Sequence, residues 1–489
     1  MDYIESLNDA QKEIAIDTTF MTSKDATCII ACAGAGKTKT LIAKIIYMIR
    51  ELNCNPKDFF ITTFTRNAAN ELKERLIEHI PLETVNEMTL GTFHSIAYSK
   101  INDNYDYPVE DNIESYLYKY CDFITGRAIG TDIAIEHQDE IYDDEDILIN
   151  EERVEQETII DASENDHAYQ YIFIDEYQDV NDIQELIIAA LYKKAKLLIT
   201  VGDDQQNIYT FRDTKIKYIL EFAKRYENAK YKYLIKNYRC NTNCVTLANA
   251  VLSYNNNKID KVIEAMKNDK PKKIMMISFK NQKSQLQHVV KFVMESDTSN
   301  NYHKTAILAR NNAILKKLES TFAALHIPTF YIESGDEDKQ NIQDISGRLI
   351  LSTIHGTKGL EFDNVYILDV NCGIFPSSYS TDIEEERRLF YVAITRSKKK
   401  LYICYDERQP SIFINEIKKH VDYKEIVNYK TENNGGVIIA KNNTNNVRSE
   451  DYSVNNIMTK MNYPDFEDFR HNIFDYHSIN PSVIYLHSE

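Results

Sequence analysis

The stretch Ile29-Ile30-Ala31-Cys32-Ala33-Gly34-Ala35-Gly36-Lys37-Thr38-Lys39-Thr40-Leu41 decides the fold. The apolar run Cys28–Ile30 predicts a buried strand, the small residues and glycines a loop, and the apolar spacing from Thr40 to Met48 a helix. A loop with so little Cβ bulk lets successive backbone N–H groups turn inward around a phosphate, and the helix N-terminus adds the positive end of its dipole. Lys37 can then reach the terminal phosphates of a nucleotide, and Thr38 can hold Mg2+. The strict phosphate-loop pattern has Gly where Ala31 stands, so these residues also fit a Gly/Ala-rich turn in an ordinary α/β protein. The rest of the chain decides between the two.

Downstream, Tyr171-Ile172-Phe173-Ile174-Asp175-Glu176-Tyr177-Gln178-Asp179 is an apolar strand ending in two carboxylates. After a phosphate loop, such a pair places one acid to bind Mg2+ and the next to polarise water. Leu197 to Arg212 gives another strand and a polar loop that carries Tyr209, Phe211 and Arg212. Aromatic side chains in a polar loop are better explained by stacking on unpaired bases than by burial. Phe59–Phe64 reads as a further strand, followed by a helix start at Thr65. Alternating strands and helices indicate a parallel sheet, whose ligands gather at the strand C-terminal ends. Phe64 stands at such an end and fits either core packing or a ligand contact. His94, in Leu90-Gly91-Thr92-Phe93-His94-Ser95, fits either a buried hydrogen bond or a nucleic-acid contact. Ser6 to Ile16 predicts a capped amphipathic helix. Its Gln11 is an adenine-reading candidate, because an amide offers both a donor and an acceptor.

Residues 255–272, rich in Asn and Lys, read as a loop region ahead of a second α/β run. That run comprises a strand at Thr305–Arg310, a helix at Ala313–Leu325, the stretch Leu349–Phe362, a strand at Val365–Leu368, a helix at Ile383–Ser397 and a strand at Leu401–Cys404. It has no phosphate loop of its own. Beyond about Asn428, Gly435-Gly436 and the Asn442–Asn446 cluster read as linker. The tail that follows carries Tyr463, Phe466, Phe469, Phe474 and Tyr476, and fits packed helices or a partner-binding peptide. Val421-Asp422-Tyr423-Lys424 looks like a nuclease fragment but has no other carboxylates at metal-site spacing, so it is rejected.

A chain of 489 residues is too long for one core and suggests three or so compact units. It has no apolar run of membrane-spanning length and no secretion signal at its start, so a soluble intracellular protein without membrane contact is expected. Its eight cysteines are scattered singly and are expected to be reduced and structural. The net charge is −18, yet residues 101–170 hold 21 Asp/Glu against 3 Lys/Arg, so the remainder is balanced. Overall acidity therefore does not exclude a polyanion ligand. The run Glu136 to Asp146 predicts a solvated insertion that repels DNA phosphates.

Seven stretches in this order carry a family resemblance. They are Gly34-Ala35-Gly36-Lys37-Thr38, Gly91-Thr92-Phe93-His94, Asp175 to Asp179, Val201 to Tyr209, Asn237-Tyr238-Arg239, His355 to Phe362 and Glu385 to Arg396. The chain resembles the UvrD/Rep/PcrA family of superfamily 1 DNA helicases. The resemblance implies an α/β fold of two tandem RecA-like parallel-sheet domains, with a short acidic insertion in the first. The domains would comprise residues 1–100 with 167–240, the insertion 101–166, a second domain 241–430, and a linker and tail 431–489.

Carried over residue by residue, the resemblance implies an ATP and Mg2+ site in the cleft between the domains. Ala33, Gly34, Ala35, Gly36, Lys37 and Thr38 would cradle phosphate, and Thr38 and Asp175 would hold the metal. Glu176 would activate water, and Gln206 would sense the γ-phosphate. Arg239 and Arg396 match arginine fingers, which stabilise charge developing on the γ-phosphoryl oxygens. Gln11, Lys39 and Tyr238 would surround adenine, with Glu361 on the ribose. Many relatives carry Arg at position 39, and an ammonium stacks on a base less well than a guanidinium does. Phe64, His94, Tyr209, Phe211, Arg212 and His355 match contacts along single-stranded DNA. Relatives commonly have Trp where Phe211 stands, and this chain has no Trp.

The large accessory domain that relatives insert after Gly335 is replaced by Asp336–Arg348. The implied function is an ATP-dependent, DNA-stimulated single-stranded-DNA translocase and helicase in trimmed form. It would move 3′ to 5′, act at single strands or single/double-strand junctions, and serve replication, repair or recombination. The acidic insertion or the tail would offer a surface to a protein partner. Two alternatives stay open: an RNA helicase, and a nucleotide-switched assembly factor that does not move.

Overall fold

The computed structural model describes residues 2–104, 114–126, 168–267, 274–296, 302–332, 347–420, 426–431 and 437–440. The acidic run Glu136–Asp146, the segment Val421–Lys424, most of 336–348 and the aromatic tail lie outside the described residues.

Strand β1, Asp25–Ala31, is buried along its whole length, as a strand with neighbours on both edges and helices on both faces must be. It belongs to a six-stranded, all-parallel sheet with β2 (Phe59–Thr63), β3 (Thr89–Thr92), β4 (Tyr171–Asp175), β5 (Leu197–Gly202) and β6 (Ala229–Leu234). The order is β3-β2-β4-β5-β1-β6, so the chain passes over β5 and β4 between β1 and β2. Ligand crevices of open parallel sheets form where the order breaks in this way.

The longer helices of this unit are α1 (Asp9–Ile16), α2 (Lys37–Arg50), α3 (Arg66–Ile77), α4 (Phe93–Asn104), α5 (Glu114–Thr125) and α6 (Asp182–Lys194). Reciprocal capping boxes, Asn8 with Gln11 and Asn181 with Gln184, fix where α1 and α6 begin. Tyr116, Leu117, Tyr120 and Cys121 of α5 join Phe60, Ile172, Ile174 and Leu198 in the core. Each fully buried side chain of this size contributes about 1.5–3 kcal/mol. Part of residues 101–166, read as an acidic insertion, thus belongs to the core of the first unit. Two short strands, β7 (Lys236–Asn237) and β8 (Glu264–Ala265), pair in parallel beside the main sheet.

The chain divides into two compact units, the first made of Met1–Arg239 with Asn255–Met266, the second of Cys240–Tyr254 and the described chain from Lys267 on. Residues 255–266, expected in the second domain, thus fold with the first.

The second unit holds an eight-stranded sheet in the order β11-β12-β10-β13-β14-β9-β15-β16. Its strands are β9 (Ile274–Phe279), β10 (Thr305–Ala309), β11 (Thr329–Ile332), β12 (Leu349–Thr353), β13 (Phe362–Ile367), β14 (Ser397–Asp406), β15 (Ile426–Thr431) and β16 (Val437–Ala440). All pairs are parallel except β15 with β16. Strand β16 lies where a linker is expected. Helices α7 (Thr242–Leu252), α8 (Gln282–Ser296), α9 (Asn312–Ala324), α10 (Ile383–Thr395) and α11 (Ile412–His420) complete it. None of the eight cysteines is in a disulfide, and only Cys372 is exposed. Among the described residues, no helix is long and apolar enough to cross a membrane.

Candidate functional site

The phosphate-loop candidate joins β1 to α2. Gly34 and Gly36 have φ of +69° and +78°, where an L side chain is strained. Space is short as well: a Cβ on Gly34 would stand 2.6 Å from Arg239 Cβ, and one on Gly36 2.7 Å from Gln11 Nε2. Three successive loop carbonyls are held by donors from outside the loop. Asn237 Nδ2 donates to Ala33 O at 2.7 Å, Tyr238 N to Gly34 O at 3.0 Å and Gln11 Nε2 to Ala35 O at 2.9 Å. The peptide planes of the loop are therefore fixed before any ligand arrives.

Lys37 Nζ lies 2.8 Å from Glu176 Oε2 and 3.0 Å from Oε1. Thr38 Oγ1 lies 3.4 Å from Asp175 Oδ2. Burial works against the Lys37 ammonium, but Glu176, Asp175 and Asp203 outweigh it and raise its pKa. Burial and the neighbouring Glu176 push the Asp175 carboxyl up to about 7 against the pull of Lys37. Glu176 sits just past the end of β4 with φ +54°, a strained backbone of the kind that concentrates at functional sites. Its carboxylate accepts Gln178 Nε2 at 2.6 Å, and its own N–H donates to Asp175 Oδ1 at 2.9 Å.

The turn after β5 is buried and hydrogen-bonded. Gln206 Nε2 donates to Asp203 Oδ2 at 2.8 Å, while Asp203 N donates to Gln178 Oε1 at 2.9 Å. Gln178 thus bridges the carboxylate of Glu176 to the turn that carries Gln206. Burial disfavours the Asp203 carboxylate, but Lys261 and Lys37 outweigh it and lower its pKa.

The expected adenine-side residues cluster at the start of α1 and the end of β7. Gln11 caps α1, with Asn8 N donating to Gln11 Oε1 at 2.9 Å, so its amide is engaged at both ends. Asn8 Nδ2 donates to Tyr238 Oη at 2.7 Å, and Lys39 Nζ to Ser6 O at 2.9 Å. Arg239 follows directly, with its N–H on Asn237 Oδ1 at 2.9 Å.

Four of the six expected strand-contacting residues form one platform. Phe64 and Tyr209 stack at 5.3 Å between centroids and 9° between planes. Tyr209 meets Phe211 edge-on at 5.8 Å, and Phe211 is 66% exposed. The Arg212 guanidinium carbon lies 6.0, 5.4 and 6.0 Å from the rings of Phe64, Tyr209 and Phe211. A planar cation over three rings, beside an exposed aromatic face, suits stacked bases and their phosphates. His94 is apart from these contacts, with Nε2 3.2 Å from Glu114 Oε1, an exposed pair that fits neither a buried role nor a ring stack.

In the second unit, His355 occupies the short turn after β12. Burial, then Arg310 and Lys358, push its imidazole down to about 3. Glu361 pairs with Lys398. Arg396 caps α10 and is 1% exposed, donating from Nε to Val392 O at 3.0 Å and from Nη1 to Leu360 O at 3.0 Å.

Asn237, Gln178, Asp203 and Lys261 were not among the expected site residues. The first three lie inside quoted motifs, and an amide or carboxylate beside a phosphate loop is the signal that could have found them. Among the described residues, no group of three or more His, Cys, Asp or Glu could hold a metal ion. Thr38 and Asp175 alone suit a magnesium ion that takes its remaining ligands from water and phosphate.

The model of the UvrD/REP helicase N-terminal domain matches residues 7–162 and 136–227, and that of the UvrD-like helicase C-terminal domain matches 232–345 and 332–408. A Staphylococcus epidermidis protein named ATP-dependent DNA helicase PcrA is 28% identical over 394 residues, 70% of this chain and 53% of the relative. Its Staphylococcus aureus counterpart is 26% identical over 398 residues, with the same coverage of 70% and 53%. A Mycoplasma pneumoniae protein named "Probable DNA helicase" is 25% identical over 504 residues, 88% of this chain and 90% of the relative. The chain spans about half the length of the PcrA relatives it matches.

Proposed function

Because the chain belongs to the UvrD-like helicase family, we propose that it is an ATP-dependent translocase and helicase on single-stranded DNA. The observation that carries this reading is continuity within the first unit. Gln178 ties Glu176 to the turn bearing Gln206, and the same chain runs on to Tyr209 in the aromatic platform. Chemistry at a phosphate and grip on a base would thus share one turn.

Lys37 and the loop N–H groups bind the β- and γ-phosphates, and Thr38 and Asp175 would hold Mg2+. The metal supplies charge neutralisation on the phosphate oxygens. Glu176 orients and polarises the attacking water, Gln206 senses the γ-phosphate, and Arg239 and Arg396 act on charge that develops during transfer. Gln11, Lys39 and Tyr238 border the base, and Glu361 takes the ribose. Phe64, Tyr209, Phe211 and Arg212 carry the strand, with His94 and His355 as further contacts. Movement runs 3′ to 5′, in replication, repair or recombination.

The test is displacement of streptavidin from biotinylated oligo-dT. ATP-dependent release from the 5′ end, and not from the 3′ end, is expected. Hydrolysis without release from either end would contradict translocation, and faster turnover on oligo-U than on oligo-dT would point to RNA.

A further inference from the structure

The segment Asn255–Met266 returns to the first unit between two stretches of the second. It carries no recognisable motif, yet it braces two parts of the site. At its end β8 pairs with β7, and Met266 N donates to Asn237 O at 2.9 Å, just ahead of Arg239. At its middle, Lys261 has a side chain only 2% exposed. Its Nζ donates to Asp203 Oδ1 at 2.9 Å and also pairs with Asp204, while Ile259 N donates to Asp204 Oδ2 at 3.0 Å. The other oxygen of Asp203 accepts Gln206 Nε2 at 2.8 Å. One buried carboxylate therefore connects Lys261 to Gln206.

An ammonium withdrawn from water is costly unless well-placed carboxylates compensate it, and an apolar residue would fill the space without that cost. The charge at this position therefore calls for a purpose other than packing. The turn it clamps lies three residues before Tyr209, so a shift there would move both the amide of Gln206 and the ring that stacks on Phe64.

We propose that Lys261 is a positioning residue that, through Asp203, sets Gln206 for phosphate chemistry and holds the turn through which a bound strand accelerates turnover. Both ends of its segment continue into the second unit. This rests on the functional reading above.

The experiment measures ATP turnover with and without oligo-dT for wild type, Lys261→Met, Lys261→Arg, Gln206→Ala and the double variant Lys261→Met/Gln206→Ala, with a melting curve for each. Lys261→Met is expected to lower kcat about tenfold at unchanged KM and to shrink the stimulation by oligo-dT. It should add no loss in the Gln206→Ala background, and Lys261→Arg should restore part of the rate. Wild-type kcat and stimulation in Lys261→Met, or losses that multiply in the double variant, would overturn the proposal. If Lys261→Met does not melt cooperatively, Lys261→Gln, which keeps a donor but carries no charge, decides: reduced kcat at unchanged KM supports the proposal, and wild-type behaviour overturns it. No turnover in the wild type would overturn the functional reading and this proposal together.

Discussion

Lys37 Nζ and Glu176 Oε2 are 2.8 Å apart, so the cation of the phosphate loop and the carboxylate just past β4 neutralise each other. A γ-phosphate must compete with Glu176 for that ammonium. Glu176→Gln removes the competitor as well as the group that polarises water. It should bind ATP more tightly than wild type while turning it over about a hundredfold more slowly or worse. Lys37→Ala should lose binding and turnover together. Equilibrium titration with a fluorescent ATP analogue, beside a turnover assay, separates the two outcomes.

The Phe64–Tyr209 stack predicts how the platform responds to truncation. Phe64→Ala and Tyr209→Ala should each weaken single-strand binding by about 1–3 kcal/mol. The double variant should lose less than the sum, because either truncation already removes the partner ring. Arg212→Ala should flatten the dependence of log affinity on log salt by about one phosphate contact. Anisotropy titrations of labelled oligo-dT at several salt concentrations check all three.

Gly34 has φ +69° and no room for a methyl group, since its Cβ would meet Arg239 Cβ at 2.6 Å. Gly34→Ala should destabilise the first unit by about 1–3 kcal/mol and displace Arg239. Denaturant unfolding measures the first effect. A fall in ATP turnover larger than the fraction unfolded measures the second.

In the second unit, burial and then Lys291 push the His288 imidazole down to about 4. Its ring is flanked by Phe279 and Phe292. A depressed folded value means that the unfolded chain binds the extra proton. The stability it confers is therefore present above the unfolded pKa, near 6.5, and is lost as pH falls toward 4. Between pH 7 and pH 5 the loss should be about 2 kcal/mol, and His288→Phe should remove that slope. Denaturant midpoints at the two pH values test it.

The phosphate loop, the β4 and β5 strands and the platform residues were legible because each couples an apolar run to a change of residue type at its end. Ile174 to Asp175 is one such change, and Val201 to Asp203 is another. Lys261 was not legible. It is a single lysine in an Asn/Lys-rich stretch, and its partners Asp203 and Asp204 are distant in sequence, so no local pattern marks it. Helix α5 was hidden by averaging, since the acidity of residues 101–170 masks Tyr116, Leu117, Tyr120 and Cys121 at helical spacing. Gly435-Gly436 read as linker, although two glycines between short apolar runs equally signal a hairpin, and antiparallel strands flank them.

ATP turnover of the wild-type chain with and without oligo-dT, beside Tyr209→Ala, tests most directly whether phosphate chemistry and strand binding are one process. The strand is expected to speed wild-type turnover severalfold, and Tyr209→Ala to keep the unstimulated rate while losing most of the increase. A wild-type rate that is the same with and without the strand would contradict this.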